Sequence, residues 1–239
     1  MKNKKLIIFD IDGTLIRSLT QEETLQRFRY AVDKIFHKDI GEITRERWME
    51  RDYNGKGDRH ILWSLVSEIG ISRDAFLDHL GAITSATIDF LDILAKDKPL
   101  YAAIPEAKKL VEYVIKQDYL ESGVLTGNLT DAGIWKLKHA GYDEFAFGVY
   151  GSEADAREDL ARLLLVKAQK YFEWKPKPED IIIIGDTIYD IRCARVIGAH
   201  VIAVAGGWEV DRQRLAVEGA DLLVDTLADP RVFDLLKIQ

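Results

Sequence analysis

The sequence predicts an α/β fold: a doubly wound sheet of parallel strands with an all-helical segment inserted after the first strand. Three observations predict it. Short apolar runs alternate with helix-patterned stretches over most of the chain, as right-handed βαβ crossovers require. The stretch from Arg17 to Lys98 carries amphipathic helical patterns and no convincing strand. Glycine stands just past several helical patterns, at Gly141, Gly198 and Gly219, where helices commonly stop.

The elements follow in order. Lys4 to Phe9 is a short apolar run, as expected of a strand buried on both faces. Amphipathic stretches then fall at 22–36, 44–51, 58–69, 73–80 and 83–96. Between the second and third lies the loop Tyr53-Asn54-Gly55-Lys56-Gly57-Asp58, in which two glycines flank a lysine. Pro99 and Pro105 bracket the return to the sheet, so the expected division is a core of 1–16 with 100–239 and a helical lid of 17–99. The lid hangs on two connectors, near residues 17 and 100. In the core, helices are expected at 105–117, with proline in the first turn, and at 129–139, 157–174, 188–197 and 210–218. Strands are expected between them at 122–126, 145–150, 181–186, 201–205 and 221–224.

Composition narrows the class. A net charge of −7 argues against general nucleic-acid binding and against attachment to an anionic membrane. Any phosphate site must therefore be local. Cys193 is the only cysteine, which excludes an intramolecular disulfide and makes a reducing cytoplasm the simplest compartment. The apolar run after the basic start ends at Asp10, too short for a signal peptide, and no run approaches a membrane span. Neither an internal repeat nor a low-complexity tract is present.

The chemistry is concentrated at strand ends. The first strand runs into Asp10-Ile11-Asp12-Gly13-Thr14. In extended chain, residues i and i+2 point the same way, so both carboxylates are expected at the carboxyl end of the strand, where open α/β sheets bind ligands. Like charges that close imply a cation, a raised pKa, or both. The second core strand ends in Thr126-Gly127-Asn128 before a helix, a hydroxyl and free N–H groups suited to anionic oxygens. Asp186 ends a later strand and Asp190 follows one helical turn on, oxygen donors of the kind a hard divalent cation takes. Arg157 opens a long helix after the third core strand.

In order and spacing, these motifs resemble the haloacid dehalogenase-like hydrolase superfamily, in particular its phosphatases with a helical cap after the first motif, similar in layout to phosphoglycolate phosphatase. The likeness covers essentially the whole chain and implies a Rossmann-like core. It implies Asp10 as nucleophile forming an aspartyl-phosphate, and Asp12 as general acid and then base. It implies Mg²⁺ held by Asp10, the Asp12 carbonyl and Asp186, with Asp190 acting through water or by orienting the site. Thr126 and the Gly127 N–H would hold phosphoryl oxygens. The family usually has lysine as the third-motif cation. Spacing points here to Arg157, with Lys167 as the alternative and with Lys175 and Lys177 read as solvated. The implied substrate is a small phosphorylated metabolite, with no nucleic acid or membrane partner, in a monomer or homodimer. The alternatives are a phosphomutase or pyrophosphatase of the same fold, or a non-catalytic phosphate-binding regulatory protein.

Blander readings stand beside these. Asp-Gly is a common turn pair, Thr126 suits a helix N-cap, and Asp186 and Asp190 suit a helix start. Their joint occurrence on successive strand ends favours a site. Lys56 is expected to reach the site from the lid, because its glycine neighbours permit close approach; loop charge is the alternative. Asn54, Asp58, Arg59 and His60 are weaker candidates from the same loop. His37, His79, His139 and His200 have no ligand spacing, Cys193 reads as a packed residue, and Trp208 reads as packing, with lining the site as its alternative.

Overall fold

In the computed structural model, which describes residues 4–143, 145–206 and 212–237, six parallel strands form one sheet. They are β1 (Lys5–Phe9), β4 (Leu120–Leu125), β5 (Gly148–Val149), β6 (Ile181–Gly185), β7 (His200–Val204) and β8 (Leu222–Val224). Their order is β5-β4-β1-β6-β7-β8. The chain begins at the centre and builds outward first to one side and then to the other. The reversal leaves a crevice at the carboxyl ends of β4, β1 and β6.

The strands are largely apolar because both faces are covered, with polar residues near their starts at Lys5, Glu121, Ser122 and His200. Alternate residues divide between two clusters. Ile7, Phe9, Val124, Ile182, Ile184 and Ile202 face one side, against α6 (Pro105–Ile115), α7 (Thr130–His139) and α11 (Pro230–Leu236). Leu6, Ile8, Leu125, Ile181, Ile183 and Val201 face the other, against α8 (Arg157–Tyr171), α9 (Ile188–Ile197) and α10 (Arg212–Glu218). Each fully buried aliphatic side chain contributes roughly 1.5–3 kcal/mol, so this double core fixes the sheet.

Residues 21–95 form α1 (Gln21–Phe36), α2 (Arg45–Glu50), α3 (Asp58–Glu68), α4 (Arg73–Asp78) and α5 (Leu80–Ala95). They share a third cluster around Phe28, Leu62, Phe76 and Ile83, which Leu129 and Ala132 join from the core side. Among the described residues, no helix is long and apolar enough to cross a membrane.

Four differences from expectation have physical reasons. The connectors are not plain coil: β2 (Ile16–Ser18) pairs antiparallel with β3 (Tyr101–Ala103), with Ile16 opposite Ala103. Each is only three residues long, too short to show a period. The strand expected at 145–150 shrinks to Gly148–Val149, because as the sheet edge it pairs only with the end of β4. The terminal helix α11, unforeseen, starts with Asp229 accepting from the Arg231 N–H and Pro230 in the first turn. The helix at 157–174 stops at Tyr171, before the Pro176 and Pro178 segment. The first residues of the expected 210–218 helix, and Trp208, lie outside the described residues.

Candidate active site

The sheet register builds the floor of the crevice. Phe9 of β1 lies opposite Ile184 of β6, and the Asp10 N–H donates to the Ile184 carbonyl at 2.9 Å. Asp10 and Asp186 therefore leave adjacent strands side by side. Asp190 folds back from the first turn of α9. One carboxylate oxygen from each of Asp10, Asp186 and Asp190 lies within 4.8 Å of the others. Gly13 shares this wall with φ +80°, and a Cβ there would sit 2.0 Å from Asp186 Oδ2. A side chain at 13 would displace the carboxylate.

Arg157, the first residue of α8, enters between these acids. Its Nη2 donates to Asp190 Oδ1 at 2.5 Å, and its Nη1 stands 3.7 Å from Asp10 Oδ1. Lys167 is elsewhere, bonded to the Gly148 carbonyl and Glu153. Of the two candidate cations, Arg157 is the one that reaches the acids. Asp190's second oxygen accepts from the Thr187 N–H at 3.0 Å and its hydroxyl at 2.7 Å. Both Asp190 oxygens are occupied, which suits orienting Arg157 and the start of α9 better than direct ligation.

Asp10 Oδ1 is buried without a hydrogen-bond partner. Burial, followed by the Asp190 charge, pushes the Asp10 carboxyl up to about 7, with Arg157 opposing. Burial and the charges of Asp10 and Asp190 raise Asp186 well above the carboxylate range. Burial works against the charge on Arg157, but Asp190 and Asp10 outweigh it and hold the guanidinium protonated. Three converging carboxylates against one guanidinium leave an excess of negative charge, and one oxygen is orphaned. All the donors are oxygen, so the set fits a hard divalent cation such as Mg²⁺.

Asp12 departs from the expected alternation. Strand β1 ends at Phe9, and Asp12 already pairs with Ile16 across the turn. Period two no longer applies beyond the strand. The Asp12 carboxylate turns away from the three acids and accepts from Lys136 Nζ at 3.0 and 2.8 Å and from Asn128 Nδ2 at 2.7 Å. Burial opposes it, but Lys136 with its hydrogen bonds, and then Asn128, hold Asp12 below the usual carboxylate range. Lys136 also donates to Asn128 Oδ1 at 2.6 Å. Thr126 follows β4 and is buried, and its Oγ1 accepts from the Asn128 N–H at 3.3 Å and from Asn128 Nδ2 at 2.8 Å.

Over this floor lies a cavity of about 250 Å³. Its roof comes from the helical segment: Arg27, Trp48, Tyr53, Asn54, Lys56 and Asp58 all line it. Lys56 lies where its glycine-flanked loop suggested. Gly57 rests on Gly127, whose added Cβ would come within 2.7 Å of the Gly57 Cα. The Asp58 N–H donates to the Gly127 carbonyl at 2.8 Å. Asp58 is buried; its Oδ2 accepts from the Leu129 N–H at 3.3 Å and its Oδ1 from Arg27 Nη2 at 3.3 Å. Arg59 turns the other way, to the Ser152 carbonyl and Asp155. His60 is exposed.

Two buried cations of the cavity were missed in the sequence, Lys136 and Arg27. A signal existed for each. Lys136 completes an i, i+3, i+4, i+7 stripe with Leu129, Ala132 and Gly133, and Arg27 lies in the stripe of Thr24, Phe28 and Ala31. A charge within a buried helical stripe needs a partner.

Comparison with known proteins gives the same picture. Residues 4–198 match the family model described as haloacid dehalogenase-like hydrolase. No curated protein matches the chain in sequence. Among solved structures, a predicted phosphoglycolate phosphatase from Haemophilus somnus superposes with a TM-score of 0.69 at 20% identity, covering 98% of this chain and 99% of that one. A CbbY variant from Rhodobacter sphaeroides, in complex with xylulose 1,5-bisphosphate, gives 0.68 at 21%, covering 96% of each chain. A hydrolase from Pseudomonas syringae gives 0.67 at 20%, covering 98% and 99%. At these identities the likeness establishes the fold.

Proposed function

The chain belongs to the haloacid dehalogenase-like hydrolases, and we propose on that premise that it is a Mg²⁺-dependent phosphatase of small phosphorylated metabolites. The observation that carries this reading is Asp10 Oδ1, a buried carboxylate oxygen that accepts no hydrogen bond and lies beside Asp186, with Arg157 Nη1 at 3.7 Å. A structural aspartate in that position would be expected to bond its surroundings. One held by a charge alone, without a hydrogen bond, suits a nucleophile.

In this reading Asp10 and Asp186, with the Asp12 carbonyl, would hold the cation, which when bound supplies charge neutralisation between nucleophile and phosphate. Asp10 attacks phosphorus and becomes the phospho-aspartate. Arg157 keeps Asp10 and Asp190 in place and places positive charge beside the transferred group. Thr126 Oγ1 already accepts two hydrogen bonds, so its own proton is available to a phosphoryl oxygen. Asp12 protonates the departing alcohol and later activates water. Lys56 faces the leaving group from the roof, and residues 17–99 serve as the cap that excludes bulk water during transfer. The single cysteine is buried and free, in keeping with a reducing cytoplasmic setting, for a monomer or homodimer.

The experiment is D10N, assayed on p-nitrophenyl phosphate with Mg²⁺ and by trapping the acid-stable phosphoenzyme. Turnover is expected to fall by at least about 10⁴-fold with loss of the trapped species. Undiminished hydrolysis by a folded D10N would overturn the mechanism.

A further inference from the structure

Of the acids at the ends of β1 and β6, Asp12 has been drawn away from the rest. It lies two residues from Asp10, yet among the described residues the converging set is Asp10, Asp186 and Asp190. Its carboxylate is tied to Lys136 and Asn128 instead. The Lys136 side chain is only 3% exposed and enters from α7. An ammonium has three protons, and Lys136 directs its contacts to both Asp12 oxygens and to Asn128 Oδ1. Burying such a charge is costly without a partner. Here the partner is a single acid beside a candidate cation site.

We propose that Lys136 is a positioning residue that keeps the Asp12 carboxylate out of the cation's coordination shell and so leaves it free for proton transfer at the ester oxygen. A divalent cation gathers the carboxylate oxygens within its reach, and a carboxylate bound to it is a poor proton carrier. Lys136 competes with the cation for Asp12. The tie continues through Asn128 to Thr126, so the acid, the amide and the phosphoryl-binding hydroxyl form one bonded unit. The proton-transfer half of this inference rests on the phosphatase reading. The coordination half does not.

The test uses the full chain as wild type, K136M, K136R, D12N and D12N/K136M. Mg²⁺ affinity is measured by calorimetry, and kcat/KM on p-nitrophenyl phosphate and phenyl phosphate. In K136M the freed Asp12 joins the cation, so Mg²⁺ binds about tenfold tighter, opposite in sign to the roughly 10- to 100-fold loss usual when a residue supporting a metal ligand is removed. Phenyl phosphate, with its poorer leaving group, loses about 100-fold in kcat/KM while p-nitrophenyl phosphate loses about tenfold or less. K136R stays near wild type in Mg²⁺ affinity. In the D12N background K136M leaves Mg²⁺ affinity unchanged; that pair also lacks the uncompensated charge, so it guards against a K136M that fails to fold. Unchanged Mg²⁺ affinity in K136M, or an equal gain in both backgrounds, overturns the proposal. Equal losses on the two esters overturn its proton-transfer half. If wild type hydrolyses neither ester, the phosphatase reading fails, and the Mg²⁺ titration alone decides for or against Lys136.

Discussion

The floor of the cavity is set by a sheet, and its roof by helical residues such as Arg27 and Trp48 with a loop that rests on a glycine. Asp10 and Asp186 are placed by the register of β1 on β6, through the paired residues Phe9 and Ile184. Neither can shift without moving two apolar clusters. The roof residues Lys56 and Asp58 reach the floor across the Gly57–Gly127 contact, the Asp58 backbone bond to Gly127 and the buried Asp58 side chain. The difference teaches a division of labour. The acids sit where the backbone is over-determined, and the roof loop is held by only a few bonds.

Removing a floor cation is the most severe way to probe that comparison. R157M strips the partner from Asp190 and Asp10, both of which are buried. Breaking a buried pair on one side costs roughly 3–5 kcal/mol, read as a lowered midpoint in urea. The rate of ester hydrolysis is expected to fall about 100- to 1,000-fold. A variant with wild-type turnover would show that the floor does not depend on this guanidinium.

The corresponding roof substitution, D58N, is expected to do less. It leaves Arg27 without its charged partner but keeps a polar side chain near the Leu129 N–H. A loss of roughly 1–3 kcal/mol follows from the under-satisfied guanidinium. kcat/KM should drop by about tenfold, because the loop docks less often. If D58N matched R157M in both measures, the roof would be as integral to catalysis as the floor, and the contrast would fail.

The mildest probe is pH. The Asp10 carboxyl is raised to about 7 in the folded chain, so the folded state binds its proton more tightly than the unfolded state does. That contribution to stability is fully present below the ordinary aspartate range and is lost as pH rises through about 7. Asp186 shifts in the same direction. Without divalent metal, Tm is expected to fall between pH 5 and pH 8, and Mg²⁺ to restore more of it at pH 8 than at pH 5. A metal-free Tm that rises over this window would contradict the acid cluster.

Some of the site could be read before any coordinates. Asp10, Asp186 and Thr126 stand at the ends of short apolar strands, and parallel topology brings such ends to one edge whatever the details of packing. Arg157 was legible for the same reason, since it opens the helix after a neighbouring strand. For Lys56 the flanking glycines left two readings open, site approach or loop charge, and the residue lines the cavity. Asp12 was read in part. It lines the cavity, but the strand had ended before it, so alternation did not set its direction and its carboxylate followed Lys136 instead.

By itself, then, the sequence determined the alternation of strands and helices, the helical insertion and the identity of the acids at the strand tips. These depend on local periodicity and on a topology with few alternatives. Only the tertiary structure decided the pairing of the two connectors, the seating of Gly57 on Gly127, and the capture of Asp12 by Lys136 and of Asp58 by Arg27. Those are contacts between residues far apart in the chain, and their partners are chosen by the need to compensate buried charge. That need arises only once the helices have packed.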